Sequence, residues 1–201
     1  PLAAGLISFL VDGTRSFLIC GTRSSGKSSF LTGVLVEIMR RYRIITIEDT
    51  LELPTNSMRK LGFNIQPMKV ASSLVRSGNE MEAPEGIRST LRLGDSSLIV
   101  GEVRSTEAKA LYEAMRVGAA ANVVAGTIHG DSPYGIYDRV VNDIGVPKTS
   151  FKATDICIIA NPVKSADGIH KSRRVTQITE VRKDWENDPM AENAFVDLMK
   201  Y

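Results

Sequence analysis

Cysteine is nearly absent: Cys20 and Cys157 are the only two in 201 residues. Each sits inside an apolar run, so they read as buried, reduced thiols. That suits a cytosolic protein and excludes the disulfide framework of a small secreted domain. A surplus of one charge is missing too. The 25 Lys plus Arg nearly balance the 23 Asp plus Glu, for a formal net charge of +2. With no dense basic stripe either, nucleic acid is not an expected partner. The longest apolar stretches fall far short of the ~18 residues that can span a bilayer, and no signal peptide is visible. Pro1 opens the chain without a methionine, and the residues after it already read as an internal helix. The expectation is therefore a piece of a longer protein, with a domain upstream.

What remains is ordinary globular material, 43% hydrophobic and 24% charged. A chain of this length suggests one domain and buries about 70% of the surface it exposes when unfolded. Residues 2–11 read as an apolar helix ended by Asp12-Gly13. Strands are expected at 16–20, 43–47, 97–101 and 123–128, and helices at 27–41, 85–93, 106–117 and 133–141. Thr106 is a candidate cap for the third of these helices. Pro54-Thr55-Asn56 suggests a turn, with one short strand near Asn64. Strands at 154–160 and 175–182 are expected to pair across Asp167-Gly168. Short, continuously apolar strands alternating with helices predict an α/β fold, a mostly parallel sheet sandwiched by helices, with C-terminal β additions.

In such sheets ligands bind beyond the carboxyl ends of the strands. Four motifs fall there. Residues 21–28 read Gly21-Thr22-Arg23-Ser24-Ser25-Gly26-Lys27-Ser28, a G-x-x-x-x-G-K-[ST] phosphate loop followed by Ser29. A chance match in a chain this long is about one in a hundred. Backbone N–H groups of the loop and the positive end of the next helix would cradle phosphate. Lys27 supplies a cation for the β- and γ-phosphates, and Ser28 a hydroxyl ligand for Mg²⁺. Arg23 either touches phosphate or points to solvent.

The run 98–102, Leu-Ile-Val-Gly-Glu, is an apolar strand ending in a carboxylate, long enough to reach a water in line with the γ-phosphate. It resembles a Walker B element, but Glu102 replaces the usual Asp and comes one residue late, after Gly101. The alternative is a strand-end carboxylate paired with Arg104. Glu48, Asp49 and Glu52 lie just beyond the second strand; they hold Mg²⁺ and its waters, or form a solvated turn. His129, with Gly126 three residues before it and Gly130 directly after, could donate to the γ-phosphate or be structural; His170 reads as a surface group. Of Arg88, Arg92 and Arg104, Arg104 is favoured because it follows Glu102 in Gly-Glu-Val-Arg.

Together these motifs resemble the type II/type IV secretion-superfamily ATPases, the GspE-like and PilT-like hexameric motors, over roughly residues 15–160. The loop is similar to their Walker A, 46–53 to their Asp box, 90–104 to their Walker B region, and 125–129 to their His box. Arg-Ser-Ser in the loop is closest to the archaeal pilus, archaellum and secretion branch. Two departures stand out: many family loops have glycine where Ser24 stands, and Gly94 replaces a proline before Asp95.

The resemblance implies a RecA-like motor domain over residues 1–201 that uses ATP and Mg²⁺. It implies Lys27, Glu48, Glu52, Glu102, Arg104 and His129 as catalytic groups, and Ser28, Asp49 and Glu102 on the metal. It further implies a homohexamer that drives pilin-like filaments through a polytopic membrane platform protein, at the inner face of the cell membrane. The family's N-terminal domain, which supplies arginines to the nucleotide, would lie upstream of Pro1; without it the chain is expected to be monomeric or weakly associated and nearly inactive. A nucleic-acid translocase and a nucleotide-gated module that does not turn over remain alternatives. A regulatory GTPase is disfavoured because no Asn-Lys-x-Asp guanine motif is present.

Overall fold

The computed structural model describes residues 2–71, 81–117 and 122–201. Helix α1 (Leu2–Asp12) leads into β1 (Phe17–Gly21), and α2 (Lys27–Glu37) into β2 (Ile44–Glu48). A short α3 (Thr55–Lys60) precedes β3 (Ile65–Lys69), and α4 (Ala83–Thr90) precedes β4 (Ser97–Val103). Then come α5 (Glu107–Val117), β5 (Val124–His129), α6 (Pro133–Asp138) with a π-helical turn (Arg139–Asp143), and α7 (Lys148–Phe151). The chain ends in β6 (Ile156–Lys164), β7 (Lys171–Val181) and β8 (Phe195–Lys200).

These strands form one eight-stranded sheet in the order β3-β2-β4-β5-β1-β6-β7-β8. It is parallel from β3 through β6, and β7 and β8 are added antiparallel. This is the expected α/β class with its C-terminal β additions. The apolar runs are buried on both sides because both faces are covered. One core joins Leu18, Cys20, Ile87, Leu111 and Trp185. The other, beneath α1 and α2, joins Phe17, Ile19, Leu31 and Leu35. Consecutive residues of β1 thus feed opposite cores, as the two-residue strand period requires.

Several boundaries and elements differ from the sequence reading. Helix α2 stops at Glu37 rather than running to Arg41, because Ile38 turns extended (φ −67°, ψ 127°) to begin the return toward β2. The turn expected at 54–56 is instead the start of α3, held down by the buried Met58. Helix α4 begins at Ala83, before Pro84, which fits a first turn where its missing N–H is no loss. Beyond Asp138 the third-quarter helix widens into the π turn. At α5 the carboxylate of Glu107, rather than Thr106, accepts the N–H groups of Arg104 and Ser105.

Strand β8 and helix α7 were not foreseen. Phe195 of β8, Phe151 of α7, Tyr137 and the single tryptophan stack in a chain of rings: Trp185 is 1% exposed and meets Tyr137 edge-on at 5.7 Å. Its Nε1 donates to the Arg182 carbonyl at 2.9 Å. Among the described residues no helix is long and apolar enough to cross a membrane.

Candidate functional site

Parallel pairing puts the carboxyl ends of β1, β2, β4 and β5 at one edge, where Gly21 lies directly beside His129. A cleft of about 800 Å³ opens there. Of the residues singled out by sequence, Arg23, Ser24, Ser25, Gly26, Lys27, Ser28, Ser29, Glu48, Asp49, Glu52, Glu102, Arg104 and His129 all line it. Gly21 and Thr22 take part through their carbonyls, which accept hydrogen bonds from Lys27 Nζ at 3.0 Å each. Arg88 pairs with Glu113 on the surface, and His170 pairs with Asp167 in the β6–β7 turn.

The loop's shape follows from its small residues. A Cβ on Gly21 would overlap the Ala160 carbonyl oxygen and the Ser25 hydroxyl, so only glycine fits beside β6. Gly26 has φ +94°, a conformation natural to glycine. Ser24 also adopts positive φ, at 62°. Serine takes this left-handed bend at a cost that glycine would not bear. Ser24→Gly is accordingly expected to stabilise the fold by about 0.5–1 kcal/mol, after allowing for glycine's greater freedom in the unfolded chain. A urea melt of the two proteins checks it; an unchanged midpoint would mean the strain at serine is no larger than the freedom glycine adds to the unfolded chain. No side chain caps α2, so its first N–H groups face the loop side, as an anion-binding helix start needs. Burial lowers the Lys27 ammonium below its ordinary value, against the opposing pull of Glu102.

Facing the loop is a charged cluster. Arg104 Nε donates to Glu102 Oε2 at 2.8 Å, its Nη2 reaches the same oxygen, and its Nη1 reaches Asp49 Oδ2 at 2.8 Å. His129 Nε2 lies 2.8 Å from the other carboxylate oxygen of Glu102. Burial raises the Glu102 carboxyl, but the Arg104 hydrogen bond and the charges of Arg104, His129 and Lys27 outweigh it, and the group sits below its usual range. The same bond raises Arg104. The ion pair with Arg104 therefore exists, inside the cleft and beside the loop.

The late position of Glu102 has a structural cause. Val100 pairs with Gly126 and Val103 with Ile128, so three steps on β4 match two on β5. This is a β-bulge, a device that re-aims side chains beside sites. It freed the Gly101 carbonyl, which accepts the Thr127 hydroxyl at 2.6 Å. Gly101 is needed on a second count: a Cβ there would stand 2.9 Å from Glu48 Cγ.

The three carboxylates after β2 separate into different settings. Glu48 is buried, and its Oε1 accepts the N–H groups of Glu52 and Leu53 at 2.9 and 3.0 Å. Burial raises its pKa. It holds the turn that presents the other two acids. Asp49 faces Arg104. Glu52 accepts from Ser28 Oγ at 2.6 Å.

Among the described residues no three His, Cys, Asp or Glu side chains converge as a ligand set. Mg²⁺ relies largely on phosphate oxygens and water, with one or two hard protein oxygens. Ser28 Oγ and the adjacent Glu52 carboxylate are such donors, so the residues fit that ion. Sequence reasoning missed Thr127, although it stands two residues before His129, and Arg173, which lines the cleft from β7.

The comparisons with known proteins agree with this geometry. The chain is 26% identical over 182 residues to an uncharacterized protein of Methanocaldococcus jannaschii, covering 90% of this chain and 64% of that one. It is 26% identical over 144 residues to the type II secretion system protein E of Aeromonas hydrophila, covering 71% and 26%. It thus spans less than two-thirds of the length of these relatives. Among solved structures, the VirB11 ATPase from the Brucella suis type IV secretion system superposes with a TM-score of 0.66 at 18% identity, over 86% of this chain and 50% of that one. This likeness establishes a shared RecA-like fold. Residues 3–188 match the family described as "Type II/IV secretion system protein", and the chain belongs to that family.

Proposed function

We propose that this chain is the ATP-hydrolysing motor unit of a type II secretion or type IV pilus-like system of the archaeal kind, coupling hydrolysis to filament assembly or protein secretion. One observation carries the reading: Lys27 and the Glu102–Arg104–His129 cluster face one another across a single cleft. Phosphoryl transfer needs little covalent chemistry from the protein and much positioning and charge stabilisation. In this reading Lys27 and the loop N–H groups hold the β- and γ-phosphates. Glu102, kept ionised by its neighbours, orients the attacking water. Arg104 and His129 stabilise charge and report the γ-phosphate. Glu48 and Glu52 shape the acidic side; Ser28, with Asp49 and Glu102 as the acids of the cleft, would hold Mg²⁺, which would supply a Lewis acid for the phosphate oxygens. The protein works as a homohexamer bound peripherally to the inner face of the membrane through a polytopic platform protein, and nucleic acid is not its cargo.

The full-length protein that carries this chain should hydrolyse ATP only with Mg²⁺, and assemble into a six-subunit particle with an ATP analogue, read by light scattering. Hydrolysis that is independent of Mg²⁺, or that rises with added DNA, would sink the motor reading in favour of other chemistry or a nucleic-acid translocase.

A further inference from the structure

The β6–β7 ribbon reaches past the end of the strand it flanks. The last paired residue of β1 against β6 is Cys20, opposite Ile159. The ribbon itself stays paired out to Lys164 and Lys171, with Pro162 opposite Arg173. At about 3.3 Å per residue, Arg173 stands about 10 Å beyond Cys20 and so past the end of β1 at Gly21. It overhangs the loop.

Its direction follows from the strand period. Val175 packs into the core beneath α1 and α2. Arg173, two residues on, shares that face, and α2 begins at Lys27 just below it. Its Cδ lies 3.3 Å from where a Cβ on Gly26 would stand. The ribbon touches the loop again through Asn161, whose Oδ1 accepts the Thr22 N–H at 3.5 Å. Arg173 is solvent-exposed and, among the described residues, has no carboxylate within ion-pair distance. The acidic groups of the cleft lie elsewhere: Glu102 sits on β4 and Asp49 after β2, on the far side of β1 from β7.

We infer that Arg173 is a nucleotide-binding residue supplied by the chain's own β7, holding the α-phosphate end of a nucleoside di- or triphosphate. The inference rests on the reading of the cleft as a nucleotide site. Glu102 and His129 mark one side of β1 as the γ-phosphate side, so a phosphate chain lying along the loop presents its α end on the other, under Arg173. A guanidinium presents several fixed donors to phosphate oxygens without deprotonating. Glycine at position 26 lets the arginine stem come this close to the backbone.

The contact is to atoms that ADP and ATP share, which sets its signature. Arg173→Ala should weaken ADP and a non-hydrolysable ATP analogue by the same factor, about ten- to a hundred-fold, the range for losing a charge-assisted hydrogen bond. Arg173→Lys should recover part of the loss for both. Both affinities are read by calorimetry on the protein with Mg²⁺, alongside Lys27→Ala. An exposed side chain leaves the fold alone, and a thermal melt without nucleotide verifies that. If Lys27→Ala weakens binding and Arg173→Ala does not, the arginine assignment is overturned while the site stands. A loss confined to the ATP analogue also overturns it, by moving Arg173 to the γ end. If the parent binds neither nucleotide, the nucleotide reading falls and this inference falls with it.

Discussion

Glu102→Gln is expected to leave ATP binding unchanged and to lower turnover by about 10²-fold or more, the usual range for a positioned acid–base group. Glutamine keeps the length and shape of the side chain and loses its charge. In the protein both carboxylate oxygens are engaged, one by Arg104 and one by His129. Glu102 can orient a water through the second lone pair of Oε1, or by releasing one of these partners. Arg104 has a second acceptor in Asp49 and can swing to it without being stranded. Because the carboxyl sits below its usual range, it is ionised at neutral pH. It acts by placing and polarising water more than by strong basicity. Phosphate release and calorimetry on the same preparation separate the two effects. Wild-type turnover in the mutant would move the role to Glu52 or Asp49; Glu48 is the weaker candidate because its carboxylate braces the Glu52–Leu53 backbone.

The second large effect is expected at Lys27. Lys27→Ala should weaken binding of the triphosphate by about 1.5–3 kcal/mol, or about 10- to 150-fold, by removing a charge-assisted contact. The lysine is 9% exposed and its ammonium also ties the carbonyls of Gly21 and Thr22. Part of the loss could therefore come from a slackened loop. Lys27→Met retains the apolar stem and lacks the charge, so equal losses for Met and Ala would assign the effect to the ammonium, through phosphate and the two carbonyls together, and not to the packing of the stem. Binding as tight as the parent's in both would refute the phosphate-loop assignment.

The parallel part of the fold was legible because its signals are local. Phe17–Gly21, Ile44–Glu48, Ser97–Val103 and Val124–His129 are short apolar runs, and each ends in a motif. Chain direction alone then brings Gly21, Glu48, Glu102 and His129 to one edge. Signals that depend on partners far along the chain were not legible. Pro67 lies inside β3, tolerable because β3 is an edge strand. Strand β8 has a weak alternation and no fully buried residue, and it is held by distant partners, its Phe195 against Phe151. Arg173 could not be told from 24 other basic residues until the ribbon's register placed it over Gly26. The shift of Glu102 by one residue was visible as an oddity, and only pairing with β5 explains it.

That shift also bears on how the sheet can move. Up to Val100, β4 is locked between β2 and β5 rung by rung. At Gly101 the ladder skips, and one side-chain hydroxyl, that of Thr127, replaces a backbone partner. Local opening is cheapest where backbone bonds are fewest. The stretch that carries Glu102 is therefore a compliant joint at the end of a stiff beam. The carboxylate can exchange Arg104 and His129 for other partners, and return, without transmitting the displacement into the buried Leu98–Val100 segment that holds the two cores together.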